Sequence, residues 1–139
     1  MHFYDTSVLV SAFVEDERCH DQCSKIVASA DDGVVFSHAL AECFSILTGG
    51  RLSVKLTPET AATMIEANIV DRMKIVTLTA KETMRVISEC QKIGVRGGGI
   101  YDCLHIAAAR KIGADHLLTL NVRHFSAFAP DLVSIIQEP

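Results

Sequence analysis

The chain has 139 residues, 49% of them hydrophobic and 22% charged, with a formal net charge of −4. That is enough for one domain spanning residues 1–139 with a buried core, and it excludes a disordered segment. The acidity argues against a protein that coats nucleic acid, and no apolar run approaches the roughly 18 residues that cross a bilayer, so no membrane association is expected.

Along the chain, short apolar runs alternate with helical stretches. Phe3-Tyr4 reads as a buried strand, and Asp5, Thr6 and Ser7 as cap residues for a helix over Ser7–Val14. Arg18–Ala30 predicts a second helix, closed by Asp31-Asp32-Gly33. Val34-Val35-Phe36 is a second strand, and His38–Leu47 a third helix ending at Gly49-Gly50. Pro58 in the first turn starts a helix running to about Asn68, before a strand at Ile75-Val76. Thr79 with Glu82 three residues on is a capping-box start, and this helix carries Met84, Ile87 and Cys90 on one face to Gly94. Gly97-Gly98-Gly99 is a connector, Ile100–Ile112 an Ala-rich helix stopped by Gly113, and His116–Thr119 a fourth strand. Asn121–Phe125 follows without an assigned element, and Val133–Ile136 is a last strand. This alternation predicts an α/β protein, a three-layer α/β/α sandwich around a mostly parallel sheet.

Three acids stand in near-identical apolar settings: Asp5 after the first strand, Glu42 in Leu40-Ala41-Glu42-Cys43-Phe44, and Asp102 in Tyr101-Asp102-Cys103-Leu104. Burying unpaired carboxylates is costly, so three of them suggest neutralisation by a cation. Ligand sites in parallel sheets lie beyond the carboxyl ends of the strands, where Asp5, Glu42 and Asn121 fall; Asp102 can join them from the first turn of its helix. Oxygen donors without a Cys/His set favour Mg²⁺ or Mn²⁺ over Zn²⁺. Such a cation can make hydroxide from water and stabilise a pentavalent phosphate, so phosphodiester hydrolysis leads the reaction classes. Each residue also has a plainer reading: Asp5 and Asp102 as helix-start acids, Glu42 as an ordinary helix residue, Asn121 as a turn residue.

The other motifs carry less. His105, three residues after Asp102, reads as a core histidine or one supporting the acids from behind. Cys19-x₃-Cys23 lacks partners for zinc, and Cys43 and Cys103 read as small buried hydrophobes. The triple glycine is not followed by Lys-Ser/Thr and is no phosphate loop. Arg51, Lys55, Arg96, Arg110, Lys111 and Arg123 could form a basic rim. The apolar Leu47, Leu52, Met64 and Ile65 could face a partner or the core. Asp5 interrupts the first apolar run with no basic region before it, which is unlike a signal peptide. The five cysteines form an odd set without secretory context, and a cytoplasmic protein is expected.

Taken in order, Asp5-Thr6-Ser7, Ala41-Glu42, Tyr101-Asp102 with Ala107-Ala108-Ala109, and Leu118 to Phe125 resemble the PIN-domain ribonucleases, above all the VapC-type toxins of toxin–antitoxin pairs. The resemblance covers roughly residues 2 to 136. It implies a Mg²⁺- or Mn²⁺-dependent RNA endonuclease, a homodimer, and inhibition by a cognate antitoxin. By position, it implies that Asp5, Glu42 and Asp102 are the metal-binding acids, Asp5 and Asp102 foremost. Thr6, Ser7 and Thr119 would be supporting hydroxyls, and Asn121 would stand where the family often has a fourth acid, with His124 where a second Asp is possible three residues on. An amide in that place removes one negative charge, which leaves a second reading: an RNA- or protein-binding module that cuts weakly or not at all. A phospho-acceptor role for Asp5 lacks the second acid it needs, since position 7 is Ser.

Overall fold

The triplet His2–Tyr4 forms β1, and in this computed structural model, which describes residues 1–139, it is the central strand of a five-stranded sheet. The other strands are β2 (Gly33–Phe36), β3 (Lys74–Val76), β4 (His116–Leu118) and β5 (Ile136–Gln137). Their order is β3-β2-β1-β4-β5, and every pairing is parallel. In register, Phe3 lies between Val34 and Leu117, and Tyr4 between Val35 and Leu118.

Side chains alternate across a strand, so those two rows feed opposite faces. Tyr4, Val35 and Leu118 pack with α1 (Thr6–Phe13), α2 (His20–Ala28), α3 (His38–Thr48) and α4 (Pro58–Ile65). Phe3, Val34 and Leu117 pack with α5 (Ala80–Ile93), α6 (Gly99–Ile112) and α7 (Val122–Phe128). The result is the three-layer α/β/α arrangement expected from the sequence, with a wholly parallel sheet.

Local chemistry sets the helix ends. Thr79 and Glu82 form the reciprocal capping box of α5, and Gly94 closes that helix at φ +72°, a conformation that favours glycine. Gly99 opens α6 so close to Val95 that a Cβ would stand 2.9 Å from its Cγ1. Of the three glycines before Asp102 only Gly99 is closely fitted, since a Cβ at Gly97 or Gly98 would meet open space.

Several elements differ from expectation. The helix before β3 is α-helical only to Ile65 and widens into a π turn over Glu66–Val70, with Ile69 fully buried. Residues 122–128, unassigned from sequence, form α7, too short for a helical period to show. The last strand lies at Ile136–Gln137 because Pro130–Leu132 is a 3₁₀ turn. In α5 the buried positions are Val86 and Cys90, while Met84 and Ile87 are exposed. Leu47 and Ile65 belong to the core, and neither is free to face a partner.

Candidate active site

Asp5 follows β1 and continues its ladder for one bond, its amide donating to Leu118 O at 2.9 Å. It is also the N-cap of α1. Its carboxylate is almost completely buried, and one oxygen, Oδ2, collects the hydrogen bonds. The donors are Ser7 Oγ at 2.5 Å, Thr119 Oγ1 at 2.9 Å and Ser7 N at 3.3 Å. Both hydroxyls also accept: Ser7 Oγ from Leu120 N and Thr119 Oγ1 from Asn121 N, each at 3.0 Å. The start of α1 and the end of β4 are thereby stitched around Asp5. Its Oδ1 is left without a hydrogen bond, its charged neighbour being His105 Nδ1 at 3.8 Å.

Glu42 repeats this asymmetry. Its Oε2 accepts from Thr6 Oγ1 at 2.5 Å and His105 Nε2 at 2.8 Å, while Oε1 faces His38 Nε2 at 4.0 Å. A carboxylate only accepts, so the proton between His105 and Glu42 belongs to Nε2. The His105 ring is 2% exposed and stands edge-on to Phe3 and Phe36. Its Nδ1 is buried without a hydrogen-bond partner. Burial alone would push the Glu42 carboxyl up, but the bonds from His105 and Thr6 outweigh it and hold the group below its usual range. Burial would push His105 down; the bond to Glu42 and the charge of Asp5 reverse that and raise it.

Asp102 lies in the first turn of α6. Burial, and then repulsion from Asp5, push its carboxyl above the ordinary value, with His105 and His124 opposing. His124 Nδ1 lies 3.8 Å from its Oδ2. Asn121 sits at the N-cap position of α7, where its side chain makes no capping bond. Only its backbone amide, through Thr119, ties it to Asp5. It lines an open cleft of about 480 Å³ with Arg18, Arg123 and His124.

The structure thus links Asp5 to Ser7, Thr119 and His105, and Glu42 to Thr6 and His105, with Asp102 close enough to feel the acids' charges. Asn121 stands aside. The sequence reading did not single out His38 beside Glu42, and it marked His124 only as standing where the family can have a further acid. It placed His105 only broadly, although its spacing from Asp102 puts both on one face of α6. Of the basic rim, Arg51 stands in the cleft with Glu42 and Arg123 in the cleft with Asn121. Arg110 and Lys111 are engaged elsewhere, by Asp131 and Glu82.

The donor set suits a hard divalent cation. Asp5 and Glu42 each keep one oxygen fixed and one open, and Asp102 is raised by burial and then by the charge of Asp5. No three His, Cys, Asp or Glu side chains are gathered tightly enough to form a closed ligand set. The protein oxygens would therefore make an open site completed by water or substrate, as Mg²⁺ prefers.

A protein-family model for the PIN domain matches residues 3–129. The chain is 29% identical over 121 residues to Ribonuclease VapC27 of Mycobacterium tuberculosis, covering 86% of this chain and 81% of that protein. Among solved structures, it is similar to Mycobacterium tuberculosis VapC20, described as a toxin that cleaves the sarcin-ricin loop. The TM-score there is 0.74 at 16% identity, over 91% of this chain and 95% of the other. It is also similar to VapBC2 from Rickettsia felis bound to a DNA fragment from its promoter, with a TM-score of 0.66 at 18% identity over 99% and 97% of the two chains. At these identities the solved structures show a shared fold. The family model spans Asp5, Glu42, Asp102 and Thr119 together, and the chain belongs to the PIN domain family.

Proposed function

We propose that this chain is a Mg²⁺- or Mn²⁺-dependent RNA endonuclease, the toxin of a toxin–antitoxin pair, working as one unit over residues 1–139. The observation that carries the reading is the matched asymmetry of Asp5 and Glu42, each with one oxygen held and the other free. Asp5 and Asp102 would hold the cation, which when bound supplies a hydroxide at neutral pH and offsets charge on the phosphate. Ser7 and Thr119 fix the Asp5 carboxylate. Glu42, steadied by Thr6 and His105, presents Oε1 to orient the attacking water and take its proton. Water attacks phosphorus, the phosphodiester P–O bond breaks, and the departing oxygen takes up a proton.

The names of the relatives support RNA as substrate, and the VapBC assembly supports a cognate antitoxin as partner. A homodimer in the cytoplasm completes the proposal; no helix is long and apolar enough to cross a membrane. The test is cleavage of structured and single-stranded RNA in Mg²⁺ or Mn²⁺. Asp5→Asn and Asp102→Asn should each lose activity by on the order of a hundredfold or more. The metal-free Asp102→Asn protein should melt no lower than wild type, since a repelled charge is gone. Unchanged cleavage by both variants would overturn the reading.

A further inference from the structure

One turn before Glu42, His38 leaves α3 and stacks on Tyr101, the residue just before Asp102 in α6. The ring centroids are 4.9 Å apart and the planes 12° from parallel. Behind His38 stands Phe36 at the end of β2, 6.1 Å away and tilted by 37°. The three rings form a graded pile that begins in the core and ends at Tyr101, which is 44% exposed. His38 and Tyr101 border a cleft of about 390 Å³ that also contains Glu42, Ser45 and Arg51. That volume falls in the range of small-molecule sites.

An exposed, flat ring anchored by a second parallel ring is an unusual use of a tyrosine on a helix surface. It gives no core packing on its outer side, and none of the hydrogen bonds in the site involves its hydroxyl. It does present a rigid apolar plane one residue from Asp102, while His38 faces Glu42 Oε1 at 4.0 Å. Arg51, on the wall of the same cleft, is a cation in a chain of net charge −4. A flat apolar plane, a nearby guanidinium and adjacent acids match the parts of a nucleotide: base, phosphate, and the scissile bond next to it.

We infer that Tyr101, backed by His38, is a stacking subsite for the unpaired base of a nucleotide flanking the scissile phosphate, with Arg51 meeting that nucleotide's phosphate. The inference rests on the RNA-cleaving reading above and assigns the cleft a part in it. Stacking accepts any base face, so the subsite selects for an unstacked nucleotide at one position over a particular base. Base-paired RNA, whose bases are covered on both faces, is disfavoured there.

The test is steady-state cleavage of a short RNA that wild type cuts, together with a series in which each nucleotide in turn is made abasic. Tyr101→Ala should raise KM roughly ten- to a hundredfold with kcat little changed, and Tyr101→Phe should behave as wild type. At one position flanking the cut, removing the base should cost wild type the same factor and cost Tyr101→Ala nothing further. His38→Ala, which leaves Tyr101 unsupported, should show the same coupling at the same position and serves if Tyr101→Ala is poorly folded. Arg51→Ala should lower the salt slope of binding by about one. If wild type cleaves RNA but abasic losses and ring substitutions simply add at every position, the subsite is refuted and the nuclease reading stands. If wild type cleaves no RNA, both fall.

Discussion

Thr119 Oγ1 donates to Asp5 Oδ2 at 2.9 Å while accepting from Asn121 N at 3.0 Å, and Thr119 is completely buried. One hydroxyl therefore joins the ends of β1 and β4 and sets the direction of the acid between them. Thr119→Val keeps the shape but removes both bonds. It should cost about 1–2 kcal/mol in urea denaturation, since a buried carboxylate loses a donor and an amide loses its acceptor. Cleavage should fall about tenfold with the fold retained. Full activity in Thr119→Val would show that Ser7 alone orients Asp5.

His105 reaches Glu42 from α6, across the sheet edge from α3. His105→Ala opens a space beneath Phe3 and Phe36 and leaves Glu42 with Thr6 as its remaining donor. The loss should be about 2–4 kcal/mol, read from the urea midpoint. His105→Gln, which can still donate toward Glu42, should recover part of the activity that His105→Ala loses. Equal activity in the two variants would mean that the histidine only fills volume.

Asn121 is where this chain departs from the acid pattern it resembles. Asn121→Asp adds a carboxylate at the rim of the cleft shared with His124, and Mn²⁺ affinity should rise roughly tenfold if the side chain faces the metal. Calorimetry giving the same affinity for both proteins would leave Asn121 as a turn residue.

Much of this was legible from sequence. Among the three acids set in apolar sequence, Asp5 is buried and Glu42 and Asp102 are half-buried, and the strand–helix alternation gave the layers. Thr79, Glu82 and Gly94 marked the ends of α5 because their signals are local. What stayed hidden depended on distant partners. Nothing in Asn121–Phe125 showed a helix, since seven residues carry too little of a period. Met84 and Ile87 looked like core, yet α5 turns Val86 and Cys90 inward, a rotation fixed by packing against α6. His124 could not be tied to Asp102 because it lies on α7, and the stack of His38 on Tyr101 joins α3 to α6, a contact that no local signal shows.

A separate test addresses the α5–α6 contact. Glu82 is held down to about 2, first by Lys111 and then by the Thr79 cap. A carboxylate lowered on folding stabilises fully above its ordinary range and loses that contribution as pH falls toward its folded value. Wild type should therefore lose melting temperature between about pH 5 and about pH 3, and Glu82→Gln should lose less over the same interval. Parallel melting curves for the two proteins across that range would remove Glu82 from the acid response.

The central position of β1 has a consequence for how the protein is made. β1 is synthesised first but needs β4 beside it, and β4 in turn bonds to β5, with Thr119 N donating to Gln137 O at 3.1 Å. The hydroxyl that orients Asp5 comes 114 residues after the acid itself. An emerging chain thus carries Asp5 and Glu42 well before the strand that aligns Asp5 has been made. Asp5 is aligned only once β4 has docked beside β1, so the order of the centre rests on pairing between segments far apart in sequence, the kind of contact that forms slowly in folding.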